Sequence, residues 1–387
     1  MKIAIISDCY FPTINGVVTS IKLQLEALRE LGHEVDVYCP SYAKPFEDDG
    51  STYRLAGVPF PFHKAEQVTL PWPPRVLRRL YSEPYDVIHL QTPFSAGMLG
   101  LKAAWLRRIP RVFHHHTLWE EYVDYLPVPK KATRGVSIAV CRWLADRCQG
   151  VIAPSQQVKE RFQAQGVSSP IDVIPTGIRG DDFRHGTPRP ELQEGEEVCL
   201  YIGRLAHEKS LDVVVRVFAE IHERRPATRL WLVGDGPARA ALEQQVKEAG
   251  LAGCTRFFGF VDRSTLKDYV ASARLFLFAS QTETQGLVLL EAQAGGLPVV
   301  AVRASGVDEA VDPEKTGFML DPGDENGMVQ SALRLLEDAD LYQKFSSAAE
   351  IWSAGFSIEQ MGAALVSTYQ RAIARASRQE HGKPRKV

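Results

Sequence analysis

None of the chain's apolar runs approaches the ~18 residues that a membrane-spanning helix needs. Its six cysteines, Cys9, Cys39, Cys141, Cys148, Cys199 and Cys254, form no Cys-x-x-Cys pair, which speaks against a zinc or redox motif. No Gly-x-Gly-x-x-Gly occurs, which counts against a dinucleotide cofactor. Neither sign of charge dominates. Lys and Arg number 45 against 47 Asp and Glu, so the net charge is −2 and the whole chain is no nucleic-acid binder. The opening apolar run, Met1-Lys2-Ile3-Ala4-Ile5-Ile6, is too short for a signal-peptide core and reads as a buried first strand. With scattered cysteines in apolar surroundings, the expected location is the reducing cytoplasm.

What is present is an ordinary globular mixture, 45% hydrophobic and 24% charged. A chain of 387 residues suggests two or three domains. Short β-branched runs alternate with helical patterns. Strands are expected at Lys2–Ile6, Glu34–Cys39, Asp86–Leu90, Arg111–His114, Gly150–Ala153 and Ile171–Ile174, then at Val198–Ile202, Arg229–Val233, Arg256–Phe258, Leu275–Ala279, Pro298–Ala301 and Gly317–Leu320. Helices are expected at Val17–Leu31, Val158–Gln165, Leu211–Arg224 and Ala238–Ala249. Continuous apolar strands joined by helical crossovers imply parallel sheets covered on both faces. Residues 175–197 hold four Gly and three Pro without apolar periodicity and read as an interdomain linker. The expected fold class is therefore α/β, with doubly wound parallel-sheet domains at 1–180 and 181–357 whose ligand-binding strand ends face a cleft. A last helix is expected at about 358–376 and a flexible basic tail at 377–387.

The segment TETQGLVLLEAQAGGLPVVA, 282–301, follows a strand and turns into a helix near Gly286 that stops at Gly295-Gly296. A helix N-terminus offers unpaired N–H groups and partial positive charge, a seat for phosphate. Glu283 precedes that seat and Glu291 follows it, so two carboxylates could accept hydrogen bonds from hydroxyls, as a sugar joined to a nucleotide through phosphates would present. By spacing alone the pair also fits a loop Glu and a surface helix Glu. The apolar run LVLLEAQA argues against that for Glu291. In YIGRLAHEKSLD, 201–212, Arg204 and Lys209 follow a strand's carboxyl end and could neutralise a diphosphate. They also fit two exposed loop cations.

Gly16, at the entry to the first helix, lets a ligand approach the backbone closely or simply makes a turn. In VFHHHTLWEEYVDY, 112–125, adjacent His114, His115 and His116 point different ways on a strand and cannot share one metal. His114 and His115 read most simply as packing. A strand-end His could bond a hydroxyl or move a proton, since imidazole titrates near neutrality. GDGP at 234–237 reads as a turn and cap, and Asp338-Ala339-Asp340 as a helix boundary rather than a metal-binding acidic pair. Residues 64–147 carry 13 Lys and Arg against 7 Asp and Glu, interleaved with Trp72, Trp105 and Trp143. Such stretches suit an anionic membrane surface. The plainer reading is surface helices whose Trp is buried in the domain.

Taken together, PTINGVVTSI, GRLAHEK and TETQGLVLLEA occur in the order found in the retaining glycosyltransferases of GT-B fold (group 1), which the chain resembles over nearly its whole length. The spellings NGVVTSI, HTLWEEYVDY, IPTGI and TETQGLVLLEA are most similar to the diacylglycerol glucosyltransferase and phosphatidylinositol mannosyltransferase branch. The resemblance implies two Rossmann-like domains, an N-terminal one for the acceptor and a C-terminal one for the donor. It also implies a last helix crossing back to the first domain and no essential metal or cofactor, the nucleotide diphosphate sugar being a co-substrate. By that resemblance Arg204 and Lys209 grip the donor diphosphate, Glu291 the ribose and Glu283 the transferred sugar. The backbone of Gln285, Gly286, Leu287 and Val288 meets sugar and phosphates, and that of Gly259–Val261 meets the base. Gly16 admits the diphosphate, and His116 lies by the reacting face of the sugar. Arg179 departs from the pattern, since Asp often follows IPTGI, and Asp181 and Asp182 come later.

The expected activity is hexosyl transfer with retention from UDP-glucose to a membrane lipid such as diacylglycerol, by a protein peripheral at the inner membrane face. The alternatives are a soluble or inositol-lipid acceptor with GDP-mannose or another donor, and a nucleotide-sugar-binding protein without turnover.

Overall fold

A computed structural model describes residues 1–13, 15–43, 46–60, 63–116 and 130–381. The chain divides into two compact units, Met1–Gly177 with Ile358 onward, and Ile178–Ser357. The first unit runs β1 (Lys2–Ile6), α1 (Gly16–Glu30), β2 (Glu34–Pro40), β3 (Thr52–Leu55), a hairpin of β4 (Gly57–Phe60) and β5 (His63–Thr69), α2 (Pro74–Ser82), β6 (Val87–Leu90), α3 (Ser95–Arg107), β7 (Arg111–His114), α4 (Lys130–Ala145), β8 (Gly150–Ala153), α5 (Gln156–Ala164) and β9 (Ile171–Val173). The second runs β10 (Glu197–Ile202), α6 (Leu211–Arg224), β11 (Thr228–Val233), α7 (Arg239–Glu248), β12 (Thr255–Gly259), α8 (Leu266–Ser272), β13 (Ala273–Phe278), α9 (Leu287–Ala294), β14 (Val299–Val302), β15 (Gly317–Leu320), α10 (Glu325–Glu337) and α11 (Ala339–Ala354). The helix α12 (Ile358–His381) belongs to the first unit.

The first sheet is ordered β3-β2-β1-β6-β7-β8-β9 and the second β12-β11-β10-β13-β14-β15, with every pairing parallel. Ile3–Ile6 and Leu275–Leu277 are fully buried, as strands between two helical layers must be. Each strand order reverses once, between β1 and β6 and between β10 and β13. At such a reversal the neighbouring crossovers leave on opposite faces, which opens a crevice at the strands' carboxyl ends.

Helix α1 starts where Asn15, in extended conformation, accepts a hydrogen bond from Val18 N at 2.9 Å. Its apolar residues Val18, Ile21, Leu25 and Leu28 share a core with Ile358, Met361, Leu365, Tyr369 and Ala372 of α12. The α12 spacing of three and four residues puts these on one face, and burying a Leu or Met there contributes about 1.5–3 kcal/mol.

Three expectations change. The division falls at Gly177/Ile178, ahead of 180/181, because Ile178 and Phe183 are buried in the second unit's core. The presumed linker is thus partly a packed segment of that unit. Helix α12 continues to His381, so residues 377–381 are helical rather than tail. Its late Arg375 donates to Gln149 O at 2.8 Å. The tail beyond 381 and most of HTLWEEYVDY, 117–125, lie outside the described residues.

Candidate active site

The second unit's crevice holds most of the residues singled out from the sequence. Buried β10 ends at Ile202, and Arg204 follows on the loop to a 3-10 turn, His207–Lys209. β13 ends at Phe278, and its loop carries Glu283 to α9. The two loops meet. Lys209 Nζ donates to Glu283 Oε1 at 2.6 Å, and Thr282 Oγ1 to Glu208 O at 3.3 Å. Both charged side chains are about four-fifths buried, at 21% and 18% exposure. An ammonium has three N–H donors, so this bond leaves Lys209 two. Arg204 is more open and lies 3.9 Å from Glu208, too long for a hydrogen bond, so its planar donor fork stays accessible.

Helix α9 begins after Gly286, whose φ of +68° and ψ of 43° are left-handed. An added Cβ there would also lie 3.3 Å from Gly306 O. Glycine therefore sets the angle at which the first N–H groups of α9 emerge beside Glu283, with Gln285 buried just before the turn. Leu287 and Val288 are partly buried against the core. The helix is buried all round over Leu289–Ala294.

Glu291 is only 5% exposed. Burial pushes its carboxyl above the ordinary value, Asp182 adds to that, and Arg263 opposes it. Arg263, on the 3-10 turn that follows Val261, donates through Nη2 to Glu291 Oε1. The loop of Gly259 and Val261 at the end of edge strand β12 is thereby joined to the centre of the site. Phe260, between them, is 66% exposed. The sequence reading missed Arg263. The available signal was that a carboxylate inside LVLLEAQA requires a cation.

GDGP serves packing. A Cβ at Gly234 would collide with Gly203 O and one at Gly236 with Leu205 O, so these glycines let the Arg204 loop lie against them. Leu205 N then bonds Asp235 O at 3.1 Å. Asp338 caps α11 by accepting from Leu341 N at 2.9 Å, the helix boundary expected.

In the first unit, Gly16 opens α1. A Cβ added to it meets nothing within 4 Å among the described residues, so packing does not explain the glycine. His116 lies two residues past β7, half-buried. It is stacked on His114 with centroids 3.9 Å apart, and Nε2 is 2.5 Å from Gln91 Oε1. Gln91 Nε2 also donates to Gln24 Oε1 at 2.8 Å. Gln24 is on α1, so the amide pair couples the helix that Gly16 opens to His116. Burial pushes the His116 imidazole down to about 3. Titration near neutrality, the sequence argument for proton transfer, does not hold for it. His114 and His115 are buried, as the packing reading expected. Trp72, Trp105 and Trp143 are 61%, 68% and 42% exposed, which overturns the reading that buried them in the domain.

The comparisons with known proteins agree with this architecture. Residues 14–181 match the model of Glycosyltransferase Family 4, and residues 186–352 that of Glycosyl transferases group 1. The chain is 30% identical to alpha-monoglucosyldiacylglycerol synthase of Acholeplasma laidlawii, over 91% of this chain and 92% of that protein. It is also 30% identical to a GDP-mannose-dependent alpha-mannosyltransferase of Mycobacterium tuberculosis, over 88% and 90%. The solved structure of Anabaena HepE with UDP and glucose superposes with a TM-score of 0.76 at 22% identity, over 96% of this chain and 99% of that one. Paired doubly wound sheets of this kind define the GT-B class. The chain belongs to its group 1 and family 4 glycosyltransferases, and it is an enzyme that transfers sugar.

Proposed function

We propose that the protein moves a hexose, with retention at the anomeric carbon, from a nucleotide diphosphate sugar to a hydroxyl of a membrane lipid. UDP-glucose and diacylglycerol are the first candidates. The observation that carries this reading is the Lys209–Glu283 pair beside the N-terminus of α9, with Arg204 open next to it. Two cations and helix N–H groups suit a departing diphosphate, and the neighbouring carboxylate suits sugar hydroxyls. Glu291, held by Arg263, takes the ribose hydroxyls. The backbone of Gln285–Val288 meets sugar and phosphates, and that of Gly259–Val261 meets the base. Gly16 admits the diphosphate, and neutral His116 bonds a sugar hydroxyl.

In the proposed step the acceptor oxygen attacks the anomeric carbon on the face the diphosphate leaves. The new C–O bond forms as the bond to the phosphate oxygen breaks, and the acceptor's proton passes to that phosphate oxygen. The chain supplies preorganised positive charge and alignment. No metal or further cofactor takes part in this reading.

The lipid acceptor is supported by the name of the Acholeplasma relative and by exposed Trp72, Trp105 and Trp143 in a basic segment. The proposed attachment is peripheral, at the cytoplasmic face; among the described residues no helix is long and apolar enough to cross a membrane. The mycobacterial relative favours a second reading, GDP-mannose with an inositol-lipid or soluble acceptor.

Calorimetric titration with UDP-glucose, UDP-galactose and GDP-mannose, followed by lipid-acceptor assays with the tightest donor, separates these readings. Lys209→Ala and Glu291→Ala should each lower turnover at least about tenfold, about 1.4 kcal/mol of transition-state stabilisation, while leaving the fold intact. Turnover near wild type in both rejects the site. An inverted product rejects retention. Detectable transfer or donor hydrolysis excludes a binding protein without turnover.

A further inference from the structure

We infer that the first unit carries a second anion site, a pocket for a phosphate group, at the end of its sheet opposite Gly16 and His116. The pocket has a volume of about 580 Å3 and is open to solvent. Four arginines line it, from separate parts of the chain. Arg111 opens β7, Arg147 follows α4, and Arg375 and Arg378 lie one turn apart near the end of α12. These are the amino-terminal ends of β7, β8 and β9, away from the strand ends that form the sugar-transfer site in this unit. The inference does not depend on the donor or acceptor proposed above.

Three of the arginines are held in place without being neutralised, and the fourth, Arg378, is exposed. Arg111 Nε donates to Arg147 O at 2.5 Å, and Arg375 Nη1 to Gln149 O at 2.8 Å. Arg147 Nη1 donates to Trp143 O at 3.0 Å, with its guanidinium 3.9 Å from the indole centre. Each anchor is a backbone carbonyl or a ring, so most of the N–H donors stay available. Among the described residues none of the four makes an ion pair, whereas nearby Arg371 pairs with Asp172 at 2.7 Å. Asp146, the carboxylate in the lining, is turned to the segment that precedes β9. It accepts from Ser168 N at 2.7 Å and from Ser168 Oγ at 2.8 Å, and its ion-pair partner is Arg142 at 3.7 Å.

Four guanidinium groups gathered around one uncompensated pocket repel one another until an anion enters. Burial holds the Arg111 guanidinium below its ordinary value, opposed by Cys148, with Arg147 adding a smaller push in the same direction as burial. Guanidinium forks match phosphate oxygens two at a time, and donors from three directions suit a group carrying two charges. The phosphate can belong to a free diphosphate or to the headgroup of an anionic lipid. Half-exposed Trp143, stacked under Arg147, is the side chain expected at headgroup depth.

The probe is inorganic pyrophosphate, titrated calorimetrically into full-length Arg204→Ala/Lys209→Ala protein, where the two cations proposed for the donor diphosphate are removed. Binding is expected there, weakened at least about tenfold by adding Arg147→Gln/Arg378→Gln. Arg378 makes no hydrogen bond among the described residues, so Arg378→Glu alone repeats the test if the pair lowers the melting temperature. In parallel, cosedimentation with phosphatidylglycerol and phosphatidylcholine vesicles is compared with and without Arg147→Gln/Arg378→Gln. Loss of pyrophosphate binding with intact vesicle binding assigns a free phosphate compound. Loss of phosphatidylglycerol binding, with phosphatidylcholine indifferent, assigns the headgroup. If both probes ignore the substitutions, or neither binds, the site does not exist.

Discussion

A carboxylate inside an apolar helix needs a cation, and at Glu291 that cation is Arg263. Removing the partner leaves a charge with no water to turn to. Arg263→Ala should cost about 2–3 kcal/mol near neutral pH, below the full range for a buried pair because Arg263 is itself one-third exposed. The sign with pH follows from the raised carboxyl. Below the unfolded value both states are protonated and the penalty vanishes. It grows as pH rises through the folded value. The difference in melting temperature between variant and wild type should therefore shrink from pH 8 to pH 5, and a constant difference would mean that Glu291 is not the charge left behind. Glu291 was legible because LVLLEAQA leaves a carboxylate no exit. Arg263 was not, because 28 residues separate the partners and only the fold brings the β12 loop to α9. The Lys209–Glu283 bond was hidden for the same reason, although both residues had been assigned to the site from their positions after strands.

At the scale of elements, Asp8 does what no motif announced. It lies just past β1, 4% exposed, and accepts from Thr92 Oγ1 and Ser95 Oγ at 2.6 Å each, Ala96 N at 2.7 Å and Thr69 Oγ1 at 3.2 Å. One carboxylate thus fixes the β1 loop, the last residue of β5 and the N-terminus of α3, where negative charge also opposes the helix dipole. Asp8→Asn replaces an acceptor oxygen with a donor and strands one of these groups. It should lower stability by about 2 kcal/mol and speed hydrogen exchange at Ala96, measured by denaturation and by NMR. Unchanged exchange at Ala96 would show that the carboxylate does not hold α3. The central strands were readable because parallel strands covered on both sides are continuously apolar, as in Lys2–Ile6 and Gly150–Ala153. β3, β4 and β5 were not foreseen. β3 is an edge strand, only Leu55 of Thr52–Leu55 is buried, and the hairpin pairs outside the main sheet, so no hydrophobic pattern marks them.

Across the whole molecule, the first unit's buried histidines and the second unit's Glu291 respond to acid with opposite signs. The first buries His89, His114 and His115 and half-buries His116; Gln91 bonds His89 and His116, His115 packs on Phe162, and Tyr369 of α12 is bonded 2.8 Å from His89 Nδ1. Burial pushes His89, His115 and His116 down to about 3 and His114 well below its usual range. An unfolded imidazole binds its proton near pH 6.5, so between about 6.5 and 3 the unfolded chain holds more protons. Stability from this cluster is complete above that window and falls as pH drops, by up to about 1.4 kcal/mol per pH unit for each histidine. In the second unit the raised Glu291 contributes with the reverse sign. Two units with separate cores should give two thermal transitions, and acidification from pH 7 to pH 5 should move one of them down far more than the other. Neither ring nitrogen of His115 has a partner among the described residues, so His115→Leu, near in volume, should flatten the acid-sensitive transition by roughly one proton's worth. Ending the chain at Ser357 identifies that transition. It removes Ile358, Met361, Leu365, Tyr369 and Ala372 from the first core and nothing from the second. The acid-sensitive transition should disappear while the other keeps its midpoint. If the truncated chain retains both, α12 does not complete the first unit. If the remaining transition is the acid-sensitive one, the histidines do not control it.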